Sequence, residues 1–345
     1  MYNVINTNFV GNHNMFSLIV DIENIYRAYL NACRGKLKYK ADAVMFTSDL
    51  ANNLMKLREA ILNGTYKSLR YKYSVISDTK RREIWIPHFV DKVVQHALNN
   101  VLREFYEPKF ISDSYACIRG RGNQKAVFRL QQFLRRSTKQ YKTPYLVKLD
   151  ISKFFYSIDK QVMLNILRKD ITCVRTMSLI ETIINSFQPL RPGLPLGNLT
   201  SQQFANILLH QVDIIIKHKY KIKYYLRYAD DLFLIVDDKQ KAHELLHIII
   251  KFINKELKLI CNPVKCYIQD LKKKENISGL GFNIFVDKIT LLSTFKKRFR
   301  KHIKTCDLKS INSCYAHMRI ANCYGFIKKT IYGTSIKFQN DRFYI

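Results

Sequence analysis

The chain has 345 residues, 47% of them apolar, which is enough for a large core and for two or three subdomains. Its 58 Lys and Arg stand against 27 Asp and Glu, a formal net charge of +31 that calls for a polyanionic partner, with nucleic acid ahead of an anionic membrane. The basic residues are interleaved with 21 Tyr and 21 Phe, which excludes a disordered basic tail; no apolar run approaches a membrane span, and MYNVINTNFVGNHNMF lacks the plan of a signal peptide. An intracellular protein is the expectation, with its eight cysteines, none in a C-x-x-C pair, read as small buried hydrophobes of a reducing compartment.

Residues 17 to 64 carry helical periodicity, and Gly64 is placed as a C-terminal cap. YKYSVISDTKRREIWIP alternates as a hairpin does, with SDTK as its turn and Lys80, Arg81 and Arg82 beside it. FVDKVVQHALNNVLREFY follows Pro87 as an amphipathic helix. The loop SYACIRGRGNQKAV leads into the helix AVFRLQQFLRR, and YLVKLDISKFF reads as a strand that carries Asp150 towards its far end. PGLPLGNLTS is a turn-rich loop before the helix QQFANILLHQVDIII. A hairpin and a further helix come next, then DLKKKENISGLGFNIF as a loop running into a short strand. The remaining residues, from FKKRFRKHIKTC to GFIKKTI, read as basic helices.

The run IKYYLRYADDLFLIV contains the sharpest chemical signal. Neighbouring side chains of one straight strand point to opposite faces, so Asp230 and Asp231 cannot both avoid the core there. If the run is a hairpin with Ala229 to Asp231 at its tip, both carboxylates sit at one end of a sheet. Close carboxylates repel unless a cation joins them, and hard oxygen ligands suit Mg²⁺ or Mn²⁺. Two are too few for a two-metal site, which makes Asp150 the candidate third acid. A lone acid at a strand end is ordinarily just solvated; the ordered ensemble of strand-end Asp, helix, Gly-rich loop, helix and aromatic-x-Asp-Asp hairpin resembles the order of elements in the palm of template-directed polymerases. HELLH, residues 243 to 247, also satisfies the H-E-x-x-H zinc pattern, but the apolar stripe Ala242, Leu245, Leu246, Ile249, Ile253 and Leu257 puts His243 and His247 on the other side of that helix.

These residues resemble the reverse transcriptases, and LPLGNLTSQQFAN (194 to 206) resembles those of diversity-generating retroelements in particular. In most group II intron and retroviral relatives a Gln precedes the Gly of this loop. Here Leu196 precedes Gly197, and Ser201-Gln202 stands where group II enzymes usually have Ser-Pro. RREIWIPHFVDKVVQHAL, SYACIRGRGNQKAV, KLDISKFFYSID, YADD, LKLICNPVKC and GLGF match in the family order over roughly residues 15 to 290. Ala229 departs from the Met or Val more common in retroelement members.

The resemblance implies an α+β right-hand polymerase: N-terminal helices and fingers over 1–145, an antiparallel palm with helices on one face over 146–290 (170–195 returning towards the fingers), and a helical thumb over 291–345. It implies an RNA-directed DNA polymerase that copies a structured template RNA into cDNA, error-prone at template adenines, cytoplasmic and bacterial or phage-encoded. Its partners would be dNTPs, template RNA, the RNA/DNA duplex and a small basic accessory protein oligomer, with no membrane. The alternatives are an anti-phage defence reverse transcriptase copying its own noncoding RNA and, more remotely, a noncatalytic RNA-binding protein that kept the fold. By position, Asp150, Asp230, Asp231 and the Ile151 carbonyl would hold two Mg²⁺, with Mn²⁺ as substitute. Lys265 would protonate pyrophosphate. Lys80, Arg82, Phe155, Leu196 and Gly197 would meet the nucleotide, Phe155 as the ring that excludes a 2′-hydroxyl. Arg119, Arg121, Gln202, Gly279, Leu280 and Gly281 would meet template and primer.

Overall fold

A computed structural model describes residues 11, 14–35, 39–77, 81–187, 193–339 and 342–344. Helices α1 (Met15–Val20), α2 (Ile22–Ala32), α3 (Ala41–Ser48) and α4 (Leu50–Leu62) precede the antiparallel pair β1 (Lys72–Ser77) and β2 (Arg81–Ile86). Then come α5 (Phe89–Tyr106), α6 (Asn123–Gln140), β3 (Tyr145–Leu149), the single turn α7 (Phe154–Ser157), α8 (Lys160–Asp170), α9 (Val174–Asn185) and α10 (Leu199–Ile214). β4 (Tyr224–Tyr228), β5 (Asp231–Val236), α11 (Lys239–Glu256), β6 (Tyr267–Asp270), β7 (Asn276–Gly279), β8 (Phe282–Phe285) and β9 (Ile289–Leu291) follow. Helices α12 (Ser293–Lys304), α13 (Leu308–Met318) and α14 (Tyr324–Ile331) lead to the pair β10 (Lys337–Gln339) and β11 (Arg342–Tyr344).

The chain divides into two compact, interleaved units: residues 1–112, 150–219 and 247–263, and residues 113–149, 220–246 and 264–345. The first unit is mainly helical. α5 supplies its centre, with Phe89, Val93, Val94, Ala97, Leu98, Val101 and Leu102 buried. Asn24, buried inside it, is satisfied: its amide donates to the carbonyls of Ile19 (3.1 Å) and Ala97 (3.0 Å) and accepts from Asn100 (2.9 Å). Asp91, fully buried, accepts from the Tyr66 hydroxyl at 2.6 Å and the Leu69 N–H at 3.1 Å, which pins the segment entering β1 onto α5. Burial pushes the Asp91 carboxyl up, and burial with the Asp91 charge pushes the Tyr66 phenol well above its usual range.

The second unit holds a four-stranded antiparallel sheet in the order β4-β5-β3-β6 and a three-stranded sheet β7-β8-β9. Apolar side chains of α6 (Ala126, Val127, Leu130), β5 (Phe233, Ile235), β8 (Phe282, Ile284) and α12 (Phe299, Ile303) share its core. Among the described residues no helix is long and apolar enough to cross a membrane.

Four sequence expectations are corrected. The strand expected over 145–155 ends at Leu149; Lys153 takes the left-handed conformation (φ +47°) and residues 154–157 make a helical turn instead. DLKKKENISGLGFNIF is no loop with one strand, because Asn276–Gly279 and Phe282–Phe285 pair across a two-residue turn. The chain does not stay helical after Ile331: β10 and β11 pair, with Phe343 buried against Phe299 and Tyr315, in strands too short to give a period in sequence. Of the eight cysteines only Cys261, Cys314 and Cys323 are buried, while Cys117 and Cys306 lie exposed at left-handed turn positions.

Candidate active site

The hairpin expected at the Asp-Asp pair is present. Tyr228 of β4 faces Asp231 of β5, so Ala229 and Asp230 alone form the turn. Ala229 adopts φ +52°, a conformation that costs a non-glycine residue about 1 kcal/mol and that the paired strands must hold in place. Within β4 the Arg227 side chain is fully buried and its guanidinium reaches the Ala229 carbonyl at 3.4 Å. The Arg227 backbone bonds residues 113–115 on its outer side, through Asp113 O and Tyr115 N, each at 3.0 Å. That a charged residue sits so deep in an apolar strand, two positions before the turn, shows only in the folded chain.

β3 ends at Leu149, which faces Leu232, the second residue of β5; Asp150 is the next residue of the chain. Asp150 is 6% exposed. Its carbonyl accepts from Asn262 N and Ser152 N donates to Ile260 O, both at 2.8 Å, around an antiparallel bridge between Ile151 and Cys261. That pattern turns the Ile151 carbonyl away from residues 260–262. Asp150 belongs to the first unit, Asp230 and Asp231 to the second. Among the described residues no three His, Cys, Asp or Glu side chains form a ready-made metal cage. His243 and His247 are exposed, on the side of α11 opposite the buried Ala242, Leu245, Ile249 and Ile253.

In the second unit Lys148 of β3, whose side chain is 12% exposed, lies 3.7 Å from the Asp231 carboxylate. Burial and the Asp231 charge push the Tyr267 phenol up, which keeps it protonated. The GLGF run is the tight turn of β7-β8, with Leu280 at φ +56° and Gly281 at φ +92°. Both φ values suit the turn type that matches strand twist. A Cβ at Gly279 would stand 2.6 Å from the Phe233 ring, and one at Gly281 2.6 Å from the His317 ring. His317 is itself stacked between Phe282 (4.4 Å) and Phe295 (4.8 Å), and burial lowers its pKa. Arg119 is exposed, whereas Arg121 is partly occupied in its own loop, donating to the Ser114 carbonyl at 2.6 Å. Lys265 is exposed in the turn after Cys261.

In the first unit the loop 193–198 is fastened to two neighbours. Leu194 N donates to Phe155 O at 2.8 Å, and Trp85 N of β2 donates to Leu196 O at 3.0 Å. The Tyr156 hydroxyl adds a bond to Glu83 O. Phe154 is buried and Phe155 only half-buried, so Phe154 serves the core while the ring of Phe155 keeps an open face. Gly197, at φ +114°, lets the loop meet β2: a Cβ there would lie 2.8 Å from the Ile84 side chain. Gly193 was missed in sequence and is more constrained still. At φ +99°, its missing Cβ would stand 2.5 Å from the backbone of Phe155 and Tyr156. Arg82 is exposed on β2 and Gln202 on the first turn of α10; Lys80 lies outside the described residues.

The fold is that of the right-hand polymerases. The solved structure of apo telomerase from Candida Tropicalis superposes with a TM-score of 0.52 at 10% identity, over 76% of this chain and 60% of that one. The chain belongs to the reverse transcriptase (RNA-dependent DNA polymerase) family, whose model matches residues 72–284. It is 25% identical over 185 residues to Protein YkfC of Escherichia coli (strain K12), covering 51% of this chain and 48% of that protein. It is likewise 25% identical over 209 residues to the group II intron-encoded protein LtrA of Lactococcus lactis subsp. cremoris, covering 56% of this chain and 32% of LtrA. These matches therefore span less than half the length of either relative.

Proposed function

We propose that the chain is an RNA-directed DNA polymerase that copies a structured template RNA into cDNA. The observation that carries this reading is the carboxylate-bearing turn Ala229-Asp230 in a chain of the reverse transcriptase family. It is supported by the sheet register, which sets Leu149, the residue before Asp150, opposite Leu232, the residue after Asp231. Residues 1–145, 146–290 and 291–345 would serve as fingers, palm and thumb.

Three carboxylates and the outward-turned Ile151 carbonyl are hard oxygen donors, the set that Mg²⁺ or Mn²⁺ takes. Two bound ions would supply charge neutralisation at the attacking 3′-oxygen and the departing phosphate. The chain's own residues do the rest. Asp150, Asp230 and Asp231 supply the ligating oxygens, and Arg82, with Lys80, neutralises the triphosphate. Lys265 donates a proton to pyrophosphate. The Gly279–Gly281 turn would grip the primer, and Arg119, Arg121 and Gln202 would meet template or primer, as the resemblance implies. The Phe155 ring would exclude a ribose 2′-hydroxyl, the role that its matched position implies. Phe155→Ala is expected to raise ribonucleotide incorporation roughly 10- to 100-fold relative to deoxynucleotides, the range that a steric pocket sets. Primer extension with each nucleotide class measures it, and unchanged sugar selectivity rejects the gate.

The finer reading is a retroelement enzyme that misincorporates opposite adenine. Leu196 supports it. Its carbonyl is bound to Trp85, and its half-exposed aliphatic side chain has no donor or acceptor for an incoming nucleotide. A correct pair thus lacks one interaction that a Gln would make. One hydrogen bond is worth about 0.5–1.5 kcal/mol net, roughly a three- to tenfold change in selectivity. Leu196→Gln is expected to lower misincorporation by that factor, most of all opposite template adenine, the base at which the retroelement resemblance implies errors. Error rates read by sequencing cDNA made by both proteins test this. A wild-type enzyme accurate at adenine overturns the retroelement assignment and leaves the polymerase assignment standing.

A further inference from the structure

The ammonium of Lys148 has three partners, all within the second unit. It donates to the Ser278 carbonyl of β7 at 3.2 Å, stands 3.7 Å from Asp231 Oδ1, and lies 5.2 Å from the centre of the Phe233 ring. The register explains the convergence, since Lys148 faces Phe233 on β5 and Tyr267 on β6. At 12% side-chain exposure such a charge needs partners. Phe233, in turn, fills the space that Gly279 leaves beside Ser278.

We propose that Lys148 is a positioning residue that occupies the Asp231 carboxylate as a resident cation, competes with the divalent ion for it, and ties that carboxylate to the β7-β8 turn through Ser278. This rests on the reading of Asp231 as a metal ligand. Two consequences of opposite sign follow. The positive charge opposes a second cation at Asp231, so removing it tightens metal binding. The same side chain fixes where Asp231 and the Gly279–Gly281 turn stand, so removing it slows turnover even when metal is saturating. A residue that merely stabilised the sheet would not produce both.

The test uses the full chain as wild type, Lys148→Met, Lys148→Gln and Lys148→Arg. Mn²⁺ binding without nucleic acid is followed by the electron paramagnetic resonance of free Mn²⁺, and primer extension on an RNA template gives kcat and KM. Two unit charges at roughly 4 Å in bulk water, here the Lys148–Asp231 pair that a bound ion would displace, correspond to about a fivefold change in affinity. Lys148→Met is expected to bind Mn²⁺ about fivefold more tightly and to lose on the order of tenfold in kcat, with KM for the nucleotide unchanged. Lys148→Arg is expected to keep the wild-type Mn²⁺ affinity and most of kcat. Lys148→Gln, which retains a donor for Ser278, gives the charge effect if the methionine variant fails to fold. An unchanged Mn²⁺ affinity in the uncharged variants overturns the competition, and an unchanged kcat overturns the positioning role. A wild-type chain that extends no primer counts against the polymerase reading itself, which separates the two failures.

Discussion

Asp150→Asn and Asp230→Asn are each expected to abolish deoxynucleotide incorporation on an RNA template, by at least about 10³-fold, while RNA affinity stays within about twofold. The size follows from what is removed. A preorganised charge aimed at a developing charge is worth roughly 10²–10³ in rate where a single neutral donor is lost, and a metal ligand contributes more than such a donor. The fold gives no reason for collapse. Asp150 is 6% exposed, and the backbone bonds around it, Asn262 N to Asp150 O and Ser152 N to Ile260 O, are ones that Asn retains. Asn is close to Asp in size and shape, so the Asp150→Asn chain is expected to fold, with a cooperative melting transition as the check. Single-nucleotide extension, thermal melting and filter binding of RNA on the same preparations check the three statements. Full incorporation by either variant would falsify the polymerase assignment.

A second large effect is expected from salt. At a formal net charge of +31, binding a single-stranded or duplex backbone displaces many condensed counterions, and the logarithm of affinity falls linearly with the logarithm of salt. With six to ten phosphates engaged, raising salt from 50 to 200 mM is expected to weaken RNA binding by on the order of 10³-fold or more. The measurement is a titration at four or five salt concentrations with unrelated RNA sequences in parallel, whose slopes should agree. A flat response would mean that the basic excess serves something other than phosphate.

What could be read in advance follows physical scale. Asp230 and Asp231 were legible because two adjacent carboxylates in an apolar run contradict a straight strand, and one turn resolves the contradiction. Asp150 was legible as the acid beyond YLVKL, although the strand itself was drawn too long: aromatic residues 154–156 look like strand, and nothing local marks Lys153 as left-handed. Gly197 was seen, whereas Gly193 was not. The reason for Gly193 lies across the chain, in the backbone of Phe155 and Tyr156, and no window of sequence around Gly193 contains it. Arg227 and Lys148 escaped for a related reason. A basic residue in a chain with 58 of them carries no signal until the register shows that it is buried beside a carboxylate or a turn.

The sheet order β4-β5-β3-β6 has a consequence for synthesis on the ribosome. β3 is made first, yet both of its neighbours come later: β5 begins at Asp231 and β6 at Tyr267. At about 5–20 residues per second, the nascent YLVKL segment waits roughly 4–16 s for its first partner with both edges open. Its apolar side chains and unsatisfied backbone make it a template for wrong pairing during that interval. Slower elongation between residues 150 and 230 would lengthen the exposure, and trigger-type chaperones that cover emerging apolar segments would shorten it. Slower translation of residues 150 to 230 is therefore expected to lower the yield of folded protein, and co-expressed chaperone to restore it.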